Sequence, residues 1–250
     1  MTAKIATQRV SLDVSDGTSM NTYVARPAEP GKFPGMLVLQ EAFGVNAHIR
    51  DVTERIAREG YVAIAPELFH RSGAGFEGRY DDFPAVMPHM QALTEQGQIA
   101  DMRAAYDWLH SHDQVAAGRI ASIGFCMGGR ASFLADATLP LQASVSFYGG
   151  GIAQAFLHHA PNMHAPILLF WGGLDKHILA EHRHAVVEAL TKANKQFVNV
   201  LVSYADHGFF CDARASYNAP AAGLAWALTG QFLDTYVKGS DAKASSARPS

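Results

Sequence analysis

Short apolar runs alternate with stretches of helical periodicity along most of this chain. Residues 36–39, 62–65, 120–123, 143–147 and 166–170 are nearly continuous apolar runs, the pattern of strands covered on both faces. Residues 197–202 read as one more. Nearer the start, Val10, Leu12 and Val14 alternate with Ser11 and Asp13, and Asp16-Gly17 supplies a turn before residues 20–25 return. This predicts an antiparallel hairpin ending at Arg26-Pro27. Between the runs, Ile49, Val52 and Ile56 recur at helical spacing, as do Ile99, Met102, Tyr106 and Leu109, and later Leu224, Leu228 and Phe232, so each set predicts a covering helix. Alternating strands and helices predict an α/β protein with a mostly parallel sheet, helices on both faces and an antiparallel N-terminal hairpin. Residues 71–88 hold three glycines, two prolines and several aromatics without a period. That length suits a lid or binding loop better than a connector. One domain is expected over residues 1–237, followed by a flexible tail over 238–250, which is rich in Ser, Ala and Lys.

Composition narrows the function classes. The 250 residues carry a net charge of −3 with 17% charged residues, and Lys and Arg are dispersed among carboxylates, so no basic stripe suggests a nucleic-acid partner. No apolar run reaches the ~18 residues that span a bilayer, and the first residues lack a signal peptide's apolar stretch, so the expected location is cytoplasmic, away from the membrane. Two cysteines, Cys126 and Cys211, make no disulfide framework and leave a thiol free for chemistry.

That chemistry centres on Gly124-Phe125-Cys126-Met127-Gly128-Gly129, which follows a predicted strand and precedes a predicted helix. A tight strand-to-helix turn with glycines two positions either side presents its central residue at a helix N-terminus, where backbone N–H groups favour a thiolate. Such a nucleophile needs a base and an orienting acid, and in this arrangement they follow in the order nucleophile, acid, His. Asp175 lies just beyond the run ending at Phe170, and His207 just beyond the run ending at Val202. Asp206 is the competing orienter, although neighbours on an extended segment point to opposite sides. A tetrahedral intermediate needs two donors; the N–H of Met127 is one, and Ala42, with Phe43 as the alternative, offers the second.

With these residues in hand, the sequence resembles the dienelactone hydrolase family from about Val10 to Val237. Gln40-Glu41-Ala42-Phe43-Gly44-Val45-Asn46, the Cys elbow, Trp171-Gly172-Gly173-Leu174-Asp175 and His207-Gly208-Phe209 are similar to the family's blocks. The resemblance implies an α/β-hydrolase of monomer or weak-dimer scale that opens small esters or lactones through a thioester on Cys126, with His207 and Asp175 completing the triad. It assigns Glu41 to holding the resting thiol and accepting its proton. Members that act on dienelactone grip the substrate carboxylate with Arg and Tyr, one Arg lying a few residues after the catalytic His. Here that stretch is Gly208-Phe209-Phe210-Cys211-Asp212-Ala213, with Arg214 seven residues on. An apolar wall from Phe209, Phe210 and the aromatics of the 71–88 stretch is therefore expected, with Phe43, Arg79 and Tyr80 as further substrate contacts and neutral esters accepted at least as well as carboxylated ones.

Twelve histidines raise the question of a metal, but His158, His159 and His164, and His177, His182 and His184, lack ligand spacing and a completing Cys or carboxylate. No metal and no cofactor is expected, and Cys211 reads as a free packing thiol. Two rival readings share the fold: a catalytically silent binding or redox-sensing protein, and a small peptidase.

Overall fold

The computed structural model describes residues 3–239; the expected tail lies, from residue 240 on, outside them. Its strands are β1 (Ile5–Asp13), β2 (Ser19–Pro27), β3 (Phe33–Leu39), β4 (Val62–Pro66), β5 (Val115–Phe125), β6 (Ala143–Phe147), β7 (Ile167–Gly172) and β8 (Phe197–Val202). They form one sheet in the order β1-β2-β4-β3-β5-β6-β7-β8. β1 pairs antiparallel with β2, and β2 antiparallel with β4, whereas every pairing from β4 to β8 is parallel. The hairpin and all the apolar runs thus appear as strands.

Helices α1 (Ala47–Arg58), α4 (Glu95–Ser111), α5 (Met127–Thr138), α7 (Ala180–Lys192) and α8 (Ala219–Leu233) provide the covering layers, and short α2 (His70–Gly73), α3 (Phe83–Ala92) and α6 (Ile152–Ala155) lie in the connections. Both faces of the sheet are covered, as two neighbours on β5 demonstrate. The Oγ atoms of Ser122 and of Ser132 on α5 are 2.7 Å apart on one face, while Ile123 shares the other face with Ile56 of α1 and Trp226 of α8. β3, β4, β6 and β7 are buried almost throughout, and β5 from Ile120 on, as strands between two helical layers must be.

Three details depart from the periodic reading. β8 is the sheet edge, and Val198 and Leu201, on opposite faces of the strand, are both exposed, so neither face of its apolar run is fully covered. On α8, Phe232 is buried but Leu224 and Leu228 are exposed, and Ala221, Ala222 and Ala225 make the inward face. Small residues let this helix approach closely, so its apolar stripe is not its packed side. The 71–88 stretch contains most of α3, entered through the Asp82 side-chain cap and Pro84 at the helix start. Arg71 fixes its beginning, donating to buried Asp101 at 2.8 and 2.9 Å and to Asp16 at 2.7 Å.

The parallel registers align the strand ends: Leu39 pairs with Gly124, Phe125 with Phe147, Phe147 with Phe170, and Gly172 with Val202. The loops that follow therefore emerge along one edge of the sheet. In open parallel sheets this C-terminal edge is where ligands bind.

Candidate active site

Cys126 stands between β5 and α5 at φ 55°, ψ −115°, a conformation that L-residues avoid unless the surroundings impose it. The surroundings are backbone. A Cβ on Gly124 would collide with the carbonyl oxygen of Gly128, and one on Gly128 with those of Leu39 and Gln40. The two glycines let strand, turn and helix close on one another, and Gly128 also seats the start of α5 against the end of β3. A rotamer change cannot relieve a clash with backbone. Gly124→Ala is therefore expected to cost on the order of 3 kcal/mol and lower the melting temperature by roughly 6–12 °C. Gly223→Ala on α8, where a Cβ meets nothing within 4 Å, should instead raise it slightly. Calorimetry of both variants checks this.

Asp175 and His207 arrive from the β7 and β8 ends. His207 Nδ1 lies 2.7 Å from Asp175 Oδ2, while Asp175 Oδ1 accepts from the N–H groups of His177 and Ile178 at 2.8 and 3.1 Å. The rival orienter Asp206 accepts from the backbone N–H of His207 at 2.6 Å, so it is engaged with the main chain. Burial disfavours a charged His207, but Cys126 as thiolate and the Asp175 carboxylate outweigh it and push the imidazole pKa up to about 10. Burial would raise Asp175, yet the His207 bond and the two N–H donors hold it below its ordinary value. The raised His207 stabilises the fold fully below an unfolded imidazole's pKa and loses that contribution as pH climbs through about 10. Asp175 contributes above an ordinary carboxylate's pKa, and that contribution is lost as pH falls through its lowered one. Cys126→Ala removes the largest influence raising His207. An NMR titration should find its pKa shifted downward in that variant, and further down when Asp175→Asn is added.

These side chains open onto a cleft of about 430 Å³ lined by Ala42, Phe43, Tyr80, Phe83, Met90, Cys126, Met127, Arg130, His177, His207 and Arg214, among others. Ala42 and Met127 share its wall with Cys126. Phe43 and Tyr80 stack edge to face at 4.6 Å, and Tyr80, Phe83 and Met90 bring the 71–92 segment over the cleft.

Two expected substrate contacts lie elsewhere. Arg79 is 77% exposed and pairs with Asp81 at 2.7 Å, a local ion pair on the loop surface. Phe209 is fully buried against Phe147 and Tyr148, so it builds the core beneath the site. Arg214 enters the cleft in their place. Successive turns after His207, closed by bonds from Cys211 N to Gly208 O and from Arg214 N to Cys211 O, curl the chain back. Gly208, at φ +76°, leaves the space where a Cβ would strike the Arg214 guanidinium. Arg214 donates to Glu41 Oε1 at 3.3 Å and lies 5.6 Å from the Phe43 ring centre. Burial opposes its charge, but Glu41 together with Cys126, Tyr148 and Cys211 outweighs this and holds its pKa above the ordinary value. Arg130, over Phe156, is a second cation on the cleft wall. The wall is thus not apolar throughout. Glu41 is wholly buried, and its Oε2 has no hydrogen-bond partner among the described residues; the pair it forms is with Arg214. The only sequence signal for Arg214 was Gly208 beside the His, a residue type suited to a close approach.

A sheet with this order, a strained Cys turn between β5 and α5, and a hydrogen-bonded Asp and His after β7 and β8 define an α/β-hydrolase fold. The chain belongs to the dienelactone hydrolase family, whose model matches residues 20–237. A protein from Synechocystis sp., provisionally named a carboxymethylenebutenolidase, is 36% identical over 249 residues, covering 95% of this chain and 100% of that protein. A crystal structure from Klebsiella pneumoniae, provisionally named a dienelactone hydrolase, superposes with a TM-score of 0.85 at 31% identity, covering 93% of this chain and 100% of that one. The acylaminoacyl peptidase of Pyrococcus horikoshii shares the fold, with a TM-score of 0.71 at 14% identity over 94% of this chain and 42% of its own. The protein is a hydrolase of the dienelactone hydrolase family. No helix among the described residues is long and apolar enough to cross a membrane.

Proposed function

We propose that this hydrolase opens small lactones or esters that carry a carboxylate, through a thioester on Cys126. The observation that carries the reading is the His207–Asp175 bond of 2.7 Å beside the strained Cys126 turn in one cleft. Cys126 Sγ adds to the acyl carbon, and the negative oxygen is met by the N–H groups of Met127 and Ala42. The bond to the alkoxide then breaks, and the His207 imidazolium supplies the leaving oxygen's proton. Neutral His207 next takes a proton from water, and the hydroxide adds to the thioester carbon. Breakage of the C–S bond releases the acid and restores the thiolate and imidazolium. The carboxylate preference rests on Arg214 and Arg130 in the cleft, and the Synechocystis relative's name refers to a lactone with a carboxylate-bearing substituent. Where Cys126 rests as the thiol, a substrate carboxylate drawing on Arg214 would free the Glu41 carboxylate to take that proton, giving the thiolate from which the addition starts.

The experiment is rapid mixing with p-nitrophenyl acetate followed by intact mass measurement. A burst of one p-nitrophenol per chain, with an acetyl group mapped to Cys126, is expected. In His207→Ala a formed thiolate still attacks while water activation fails, so the burst should outlast turnover. No burst and no acyl adduct in the unaltered protein would leave the silent binding reading in its place.

A further inference from the structure

Two segments far apart in sequence, the one leading from β3 into α1 and the turns after His207, bring Glu41, His48 and Cys211 together. Glu41 follows β3, His48 sits in the first turn of α1, and Cys211 lies in the turns after His207. All three are buried, and one ligand atom from each lies within 4.8 Å of the others. Each is gripped from outside by a different group. Arg214 donates to Glu41 Oε1 at 3.3 Å, Asp212 Oδ1 faces His48 Nδ1 at 3.5 Å, and the Cys211 thiol reaches the Tyr80 hydroxyl at 3.3 Å. Glu41 Oε2 and both ring nitrogens of His48 have no hydrogen-bond partner among the described residues, Asp212 standing near Nδ1 without a hydrogen bond to it. A buried polar atom without a partner is costly, and here three of them accompany a thiol in one cluster.

We propose that Glu41, His48 and Cys211 form a binding site for a thiophilic divalent cation of the zinc(II) class. Carboxylate, imidazole and thiolate are the ligand types this ion takes, at ~2.0–2.3 Å, so the three atoms close inward on binding. A His backed by a carboxylate, and a ligating carboxylate itself held by a hydrogen bond, are the supports that orient such ligands; Asp212 and Arg214 occupy those positions. One carboxylate and one thiolate balance the ion's two charges, and the Cys211 proton leaves to solvent. Tyr80 and Arg214 line the cleft and each touches a ligand, so the cleft gives the route in. The sequence expectation that no Cys or carboxylate completes a histidine site overlooked this cluster, because its members are scattered along the chain. If the proposed hydrolysis holds, a cation here takes Glu41 out of the reaction and inhibits it; the binding itself does not depend on that reading.

The test uses cobalt(II), whose thiolate complexes absorb in the near ultraviolet, added to the Cys126→Ala protein so that Cys211 is its one remaining thiol. The charge-transfer band should saturate at one equivalent, be displaced by zinc(II), and be abolished by adding Cys211→Ser. Adding His48→Gln should weaken binding at least ~10-fold, and so should Asp212→Asn, at a half-exposed position that leaves the core untouched. Circular dichroism confirms each fold. Absence of the band, or a band indifferent to both His48→Gln and Asp212→Asn, would overturn the site. In protein retaining Cys126, zinc(II) should inhibit ester turnover at concentrations at least ~10-fold lower than in Cys211→Ser. Equal inhibition of the two would put the inhibitory ion on Cys126 and His207 and remove the regulatory consequence. A protein inactive on every ester would sink the hydrolytic reading and leave the cobalt result standing.

Discussion

Cys126→Ala should lower turnover of p-nitrophenyl acetate by ~10⁴-fold or more while keeping the circular dichroism spectrum of the parent. The size follows from the role, because removing the attacking atom of a nucleophile–base pair leaves only binding and oxyanion donors to act. The fold survives because the strain at φ 55° is imposed by Gly124 and Gly128, and Ala is no larger than Cys there. Alkylation of the thiol by iodoacetamide should reproduce the loss. Cys211→Ser, with no metal added, should stay within a few-fold of the parent. Steady-state rates decide it: a Cys126→Ala protein with activity near the parent's would take Cys126 out of the chemistry.

Arg214→Met should lower kcat/KM for a carboxylated dienelactone by about 10²–10³-fold, and for a neutral ester by less than ten-fold. Truncating one member of a buried, hydrogen-bonded charge pair costs ~2–5 kcal/mol when the partner charge is left behind. Here the partner would be the substrate carboxylate in the complex and Glu41 in the free protein. The free protein should accordingly lose about 2 to 3 kcal/mol of stability, reduced from the fully buried figure by the guanidinium's partial exposure. Adding Glu41→Gln should recover much of that stability without recovering the preference. Arg79→Ala, on an exposed pair with Asp81, should change neither. Equal losses on both substrates would refute a carboxylate-anchoring Arg214.

What was legible in the sequence was what is local. The strands announce themselves because a position covered on both faces tolerates little but Val, Ile, Leu, Ala and Phe, and the elbow announces itself because the glycines two positions either side of Cys126 sit where a Cβ would strike backbone. Asp175 and His207 are readable because each follows a strand end directly. The rest depends on contacts that spacing does not encode. Arg214 reaches the cleft only after two turns and through the gap at Gly208. Phe209 packs inward because the same turns aim it at Tyr148, and Arg79 is captured by a carboxylate two residues away. The α8 stripe misleads for another reason: its alanines, and not its leucines, meet the sheet.

The seam between the cleft's roof and its floor sets how this scaffold can be re-purposed. Gly78 N donates to Phe43 O at 3.0 Å, and Gly44 sits at φ +81° because a Cβ there would strike the Phe76 carbonyl. The roof is stitched at 76–78 to the backbone bearing Ala42 and pinned by Tyr80, which stacks on Phe43 and accepts from Asn46 at 2.9 Å, whereas at its tip the Arg79 and Asp81 side chains face solvent. Insertions or swaps at the tip can reshape what the pocket admits while the reacting geometry stays registered. Changes at the stitches alter selectivity and rate together, so new substrates are reached by diversifying the tip and leaving Gly44 and Gly78 alone.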